Sequence, residues 1–143
     1  MFIGTYYHSL DEKRRVSVPK TFRESLSPGS VITRGLDGCL FIFTSDAWAK
    51  LAEKLSSLPL ASKAARDFLR LMTYAATPVD YDKLGRVLLP EALIAAASIE
   101  KDVVFAGALT RVELWDKQKY HAYVDSLEKS ESTLEQSLAE LGI

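Results

Sequence analysis

Along the chain the spacing of apolar and polar positions alternates between strand-like and helix-like periods, and the alternation occurs twice. Residues 1–10 are rich in β-branched and aromatic side chains (Phe2, Ile3, Thr5, Tyr6, Tyr7) and end in a polar cluster, which predicts a strand. Asp11 to Arg14 reads as a turn, since an Asp carboxylate at its first position accepts a backbone N–H two residues on. The alternation Arg15-Val16-Ser17-Val18 resumes a strand, and Pro19 is expected at the first position of a short helix from Pro19 to Ser25. Pro28-Gly29 marks a turn, Val31 to Thr33 a strand, and Leu36-Asp37-Gly38 a hairpin turn into the apolar strand Cys39 to Phe43. Thr44 or Ser45 caps a helix in which Trp48, Leu51, Ala52, Leu55 and Leu58 keep helical spacing, and Pro59 stops it. Ser62 opens another, with Ala65, Phe68, Leu69 and Met72 on one face.

The same order then returns. A strand from Thr77 to Tyr81 leads to a turn at Asp82-Lys83-Leu84-Gly85-Arg86, a strand continues to Leu89, and Pro90 starts a short helix. Strands follow at Val103 to Ala106 and Val112 to Trp115, and Asp116 opens a helix with Tyr120, Val124 and Leu127 on one face. Ser132-Thr133-Leu134-Glu135 has the spacing of a capping box for a last helix through Leu141, whose apolar face (Leu134, Leu138, Leu141) is narrow. Asp11 and Asp82, Arg15 and Arg86, and Pro19 and Pro90 all lie 71 residues apart, so each half carries Asp-x-x-x-Arg-x-x-x-Pro. Val31 and Gly35 match Val103 and Gly107 at 72. This internal repeat divides the chain into a first repeat (1–48), connecting helices (49–75), a second repeat (76–120) and a C-terminal tail (121–143). A unit of that size buries little core alone, so the two are expected to share one.

Composition narrows the picture only at a few points. One cysteine, Cys39, rules out an intramolecular disulfide framework and falls in an apolar run, where a small buried thiol is expected. No basic leader with an apolar stretch opens the chain and no apolar run reaches ~18 residues, which points to a soluble, cytoplasmic protein. The net charge of −1 hides an asymmetry: residues 1–35 hold six Lys+Arg against three Asp+Glu, whereas residues 121–143 hold one against five. The basic head is compatible with a polyanion-binding face, because the local field steers such a ligand.

The repeated Asp and Arg stand at the two ends of a tight turn, close enough for a charge-assisted pair that fixes the hairpin. An exposed pair contributes only ~0–1 kcal/mol, so the motif invites a second role for its arginines. Lys13, Arg14 and Arg15 are consecutive, Lys20 and Arg23 follow on the helix, and Tyr6, Tyr7 and His8 precede, a cationic turn with aromatic neighbours suited to phosphate contacts. Lys83 and Arg86, flanked by Asp80 and Asp82, make the weaker second site. Asp11 and Asp82 also invite comparison with a proton-sharing carboxylate dyad. Glu12 and Lys83 follow them, however, where such a dyad needs a small hydroxyl and a glycine, and an Arg four residues on holds each carboxylate ionised. His8, His121 and Cys39 lack metal-ligand spacing and no Gly-rich phosphate loop occurs, so no catalytic residue, metal or cofactor is expected.

Met1-Phe2-Ile3-Gly4-Thr5-Tyr6, the paired Asp-x-x-x-Arg turns, the Arg-Val-x-x-Pro starts at Arg15 and Arg86, and Val112-Glu113-Leu114-Trp115 together resemble the bacterial MraZ family from Met1 to about Tyr120. The resemblance implies an α+β, β-rich fold: two tandem AbrB/SpoVT-like repeats joined by swapped hairpins into a barrel-like β core with peripheral helices. It also implies a ring-shaped homo-oligomer in the cytoplasm, on the nucleoid, that binds repeated double-stranded promoter boxes and represses the division and cell-wall gene cluster, including its own gene. No membrane or small-molecule substrate belongs to that picture. The motif residues carried over are Asp11, Arg15, Asp82 and Arg86. The expected DNA contacts are Lys13, Arg14, Arg15, Lys20, Lys83 and Arg86, with Arg14 standing where the family usually has the glycine that Gly85 keeps. The alternative is an oligomeric protein-interaction module of the same fold, without specific DNA binding.

Overall fold

The computed structural model describes residues 1–26 and 28–143. In chain order the elements are β1 (Thr5–Ser9), β2 (Arg15–Ser17), α1 (Lys20–Leu26), β3 (Val31–Arg34), β4 (Leu40–Phe43), α2 (Ser45–Ser56), α3 (Lys63–Tyr74), β5 (Thr77–Pro78), β6 (Arg86–Leu88), α4 (Glu91–Ala96), β7 (Asp102–Gly107), β8 (Val112–Asp116), α5 (Lys117–Lys129) and α6 (Glu131–Leu138). Six strands form one antiparallel sheet in the order β1-β7-β8-β4-β3-β5, and β2 and β6 form a separate antiparallel ribbon. The class is α+β and the repeats exchange strands: β1 of the first pairs with β7 of the second, and β5 of the second with β3 of the first. Replacing every strand by its repeat counterpart returns the same order, so a pseudo-two-fold axis runs between β4 and β8 and through the ribbon. Phe41 faces Glu113 and Val16 faces Val87 at that axis. Among the described residues the sheet stays open, with β1 and β5 at its ends, rather than closing into a full barrel.

Period-2 alternation sorts the sheet residues into two cores. Leu40, Ile42, Val103, Phe105, Val112 and Leu114 point toward the ribbon and meet Val16, Val18, Val87 and Leu89, together with Phe22 and Leu93 from the short helices. Phe41, Phe43, Val104 and Trp115 point the other way, against Leu55 and Met72 and the partly buried Trp48, Phe68, Tyr120 and Tyr123 of α2, α3 and α5. Central strands covered on both faces read as continuous apolar runs, which explains Leu-Phe-Ile-Phe in β4. Among the described residues no helix is long and apolar enough to cross a membrane.

Several local expectations need correction. Pro19 and Pro90 precede their helices instead of opening them: the Pro19 carbonyl accepts from the amides of Phe22 and Arg23, and the Pro90 carbonyl from those of Leu93 and Ile94. Pro90 keeps extended backbone (φ −59°, ψ 146°) because the strand runs straight into it. β5 ends at Pro78, which has no N–H for a ladder, and Tyr81 instead bridges to Val87 on the ribbon. The capping box at Ser132 does not form. Helix α6 starts at Glu131 because α5 runs on into it, with the Ser130 carbonyl accepting from Leu134 N and occupying the cap. On α5 the packed pair is Tyr120 and Tyr123, both against Trp115, while Leu127 is exposed.

Other local expectations hold. Asp37 and Gly38 both have positive φ (64° and 89°), the mirror-image turn that suits a two-residue hairpin. Thr44 and Ser62 cap α2 and α3 by accepting from Ala47 N and Ala65 N, and Asp116 caps α5 by accepting from Lys119 N. Cys39 is buried, and burial first, then the nearby Glu113 carboxylate, pushes its thiol up to about 12, so it is an unreactive core residue.

Candidate nucleic-acid interface

Both motif turns are closed by the same bonds. Asp11 N donates to the Arg15 carbonyl at 2.9 Å and Arg14 N to the Asp11 carbonyl at 3.0 Å; Asp82 N and Gly85 N make the same two bonds, to Arg86 and Asp82, at the same lengths. The Asp11 carboxylate accepts from the amides of Lys13 and Arg15 through Oδ1, and from Arg15 Nε at 2.7 Å through Oδ2. Asp82 accepts in the same way from the amides of Leu84 and Arg86 and from Arg86 Nε at 2.8 Å. The Arg15 amide first, then its side chain and the Lys13 amide, hold the Asp11 carboxyl below the ordinary carboxylate range; the Arg86 amide leads the same effect at Asp82. Each carboxylate is therefore ionised and tied to its own arginine, the opposite of a shared-proton dyad.

Position 14 and position 85 demand the same left-handed backbone. Gly85 meets that at φ 76°, and Arg14 at φ 61°, where a side chain on Cβ costs on the order of 1–2 kcal/mol. Arg14 offsets part of this with an ion pair to Glu91 of α4 at 2.9 Å. Arg14→Gly is therefore expected to raise the stability of the fold by about 1 kcal/mol, since an exposed pair returns only ~0–1 kcal/mol, and urea unfolding of the two proteins measures it.

Pairing of β2 with β6 places the two turns at opposite ends of one ribbon. Val16 and Val87 face inward, while Arg15, Ser17, Arg86 and Leu88 face outward, with Leu88 the most exposed of them. The arginines meet across this face, for Arg86 Nη1 also lies 3.7 Å from Asp11 Oδ2. Lys13 and Lys83 stand exposed at the turn tips, and Lys20 is exposed at the start of α1. Of the six cations expected to form the site, Arg15, Arg86, Lys13 and Lys83 thus share the ribbon, Arg14 is turned aside toward Glu91, and Lys20 lies on the helix. Sequence reasoning gave Arg23 no separate role. Its guanidinium donates to the Val18 carbonyl at 3.2 Å and fills the space over Gly85 that a Cβ there would invade, so a residue of the first repeat props the turn of the second. A missing side chain opposite a long one was the only available signal, and it is readable only once α1 is seen to lie against the other repeat's turn.

Aromatic contacts set β1 on both faces of the sheet. Tyr6 packs edge-on to Phe22, and Tyr7 stacks on His121 with the Lys117 ammonium 5.7 Å from its ring. His8 lies edge-on to Phe105, and burial lowers its pKa, which keeps it neutral near pH 7. Among the described residues no group of three or more His, Cys, Asp or Glu is placed to hold a metal ion.

Comparison with known proteins matches the family model described as "MraZ protein, putative antitoxin-like" twice, over residues 1–71 and 72–141. The chain belongs to the MraZ family. Relatives named "Transcriptional regulator MraZ" include those of Halothermothrix orenii, 42% identical over 143 residues, and Clostridium acetobutylicum, 43% identical over 143 residues, each alignment covering 100% of both chains. That of Clostridium botulinum is 49% identical over 126 residues, covering 88% of this chain and 89% of the relative. The two MraZ matches correspond to the two sets of strands that the pseudo-two-fold axis exchanges.

Proposed function

We propose that this chain is a cytoplasmic, nucleoid-associated transcriptional regulator that binds double-stranded DNA sequence-specifically. In this reading it represses the division and cell-wall gene cluster, its own gene included, by binding repeated promoter boxes as a ring-shaped homo-oligomer. The observation that carries the reading is the ribbon: two Asp-x-x-x-Arg turns end on one antiparallel pair of strands whose outer face bears Arg15 and Arg86 and whose tips bear Lys13 and Lys83. A two-stranded ribbon fits the major groove, and an arginine held rigidly through Nε offers terminal nitrogens to phosphate or guanine, although Arg86 Nη1 also faces Asp11 at 3.7 Å. The names of the full-length relatives support the regulatory role.

One ribbon is a modest site on a chain of net charge −1. A ring presents several at once, and repeated boxes whose spacing matches the ribbons convert weak contacts into strong ones. Binding of the purified protein to DNA from upstream of its own gene, against scrambled DNA across a salt series, tests this. The expected result is preference for the upstream DNA and a log–log salt slope that steepens by roughly 0.9 for each phosphate engaged. An intact oligomer with no preference would favour a protein partner instead.

A further inference from the structure

We infer that α6 of one copy docks beside α2 in a groove on the next copy, and that this contact links copies of the chain. None of the α6 residues is buried, and Leu134 and Leu138 on the helix and Leu141 and Ile143 just past it lie 47%, 37%, 71% and 85% exposed, an apolar stripe only partly covered in its own chain. Elsewhere in the chain a groove of about 550 Å³ runs between the N-terminus, the β7–β8 turn and α2, and no residue of α6 lines it. Phe2, Leu109, Ala47 and Leu51 supply its apolar surface, and Lys50 and Lys54 outweigh the single carboxylate, Asp46, among its charged residues.

The two surfaces match in charge as well as in polarity. On α2 the residues at helical positions i, i+3, i+4 and i+7 are Ala47, Lys50, Leu51 and Lys54. On α6 they are Glu131, Leu134, Glu135 and Leu138. Residues so spaced share one face, so each helix offers two like charges four apart beside small or leucine side chains, and the charges are opposite. Leucines of α6 thus meet the groove floor while its glutamates meet the lysines.

Because groove and helix are different surfaces of one chain, the contact is head-to-tail. Such contacts close into rings or run on as filaments, unlike the self-complementary patch of a two-fold dimer. A helix of this length covers well under the ~1,600 Å² of a standard interface, so a single contact is weak and closure of the assembly stabilises it. This inference deepens the oligomeric part of the reading above and rests on it, but not on DNA binding, so sedimentation in DNA-free buffer separates the two failures.

The test uses the full chain at micromolar concentration, with circular dichroism to record the fold. Wild type is expected to sediment as an oligomer, and Leu134→Asp/Leu138→Asp to fall to the 15.9 kDa monomer with its spectrum kept, since no α6 residue is part of either core. Lys50→Glu/Lys54→Glu is expected to dissociate it too, and adding Glu131→Lys/Glu135→Lys to restore it. A monomeric wild type, an oligomer indifferent to the leucine pair, or a charge exchange that fails to restore assembly would each overturn the inference. So would a monomer whose α6 amides are protected from exchange, which would place the helix in the groove of its own chain.

Discussion

Arg15→Ala is expected to lower affinity for the upstream DNA by on the order of 10- to 100-fold per engaged site while the oligomer stays intact, the scale of one good arginine contact of about 1–3 kcal/mol. Two effects act in the same direction. The substitution removes a guanidinium that Asp11 holds rigidly at 2.7 Å on the outer face of the ribbon. It also leaves the Asp11 carboxylate facing the DNA with only the Arg86 guanidinium, 3.7 Å away, to balance it. Arg15→Lys keeps the charge but loses the planar fork, so it should recover only part of the affinity. Electrophoretic titration of all three proteins across salt measures this, and the slope for Arg15→Ala should fall by about 1 if the contact is to phosphate. Unchanged binding would remove the basic turn from the mechanism.

Phe105→Ala is expected to destabilise the fold by about 3–5 kcal/mol, a large part of the 5–15 kcal/mol that holds an ordinary domain. Phe105 is fully buried (0% exposed) in the middle of β7, with Leu114 beside it and Val16, Val18, Val87 and Leu89 of the ribbon above. The interior it helps line with Val16 and Leu89 has a free volume of only about 10 Å³, so nothing fills the hole left by the ring. Because the same ring supports the ribbon from below, DNA affinity should fall with stability. Urea denaturation gives the first effect, and the contrast with Leu134→Ala, exposed on α6 and expected to change monomer stability by less than about 0.5 kcal/mol, shows that burial and not hydrophobicity sets it.

Most of the candidate interface was legible in the sequence, because the motif turn is a local object. An Asp that accepts the amides two and four residues on needs no partner from elsewhere in the chain, so its repetition at 71 residues identified both turns and both arginines. The same locality explains why the Asp37-Gly38 hairpin and the caps at Thr44, Ser62 and Asp116 were readable. Misreadings fell where a competing neighbour decided the outcome. Ser132 lost its capping role to Ser130, whose carbonyl accepts from Leu134 N where α6 follows directly on α5, and the apolar face of α5 turned toward Tyr123 because Trp115 stands there.

What the sequence determined by itself was therefore the inventory of short-range structure: the two turns, the hairpin, the helices, the period-2 strands and the basic character of the head. Tertiary structure alone decided that β2 pairs with β6, so that two turns 71 residues apart share one ribbon, and that Arg23 of one repeat supports Gly85 of the other. It also decided that Arg14 spends its charge on Glu91. The reason is physical. A turn is selected by dihedral preferences and hydrogen bonds among neighbours, whereas the choice of partner strand depends on which pairing buries Phe105, Leu114 and the four ribbon side chains at once, a sum over residues that no local window contains.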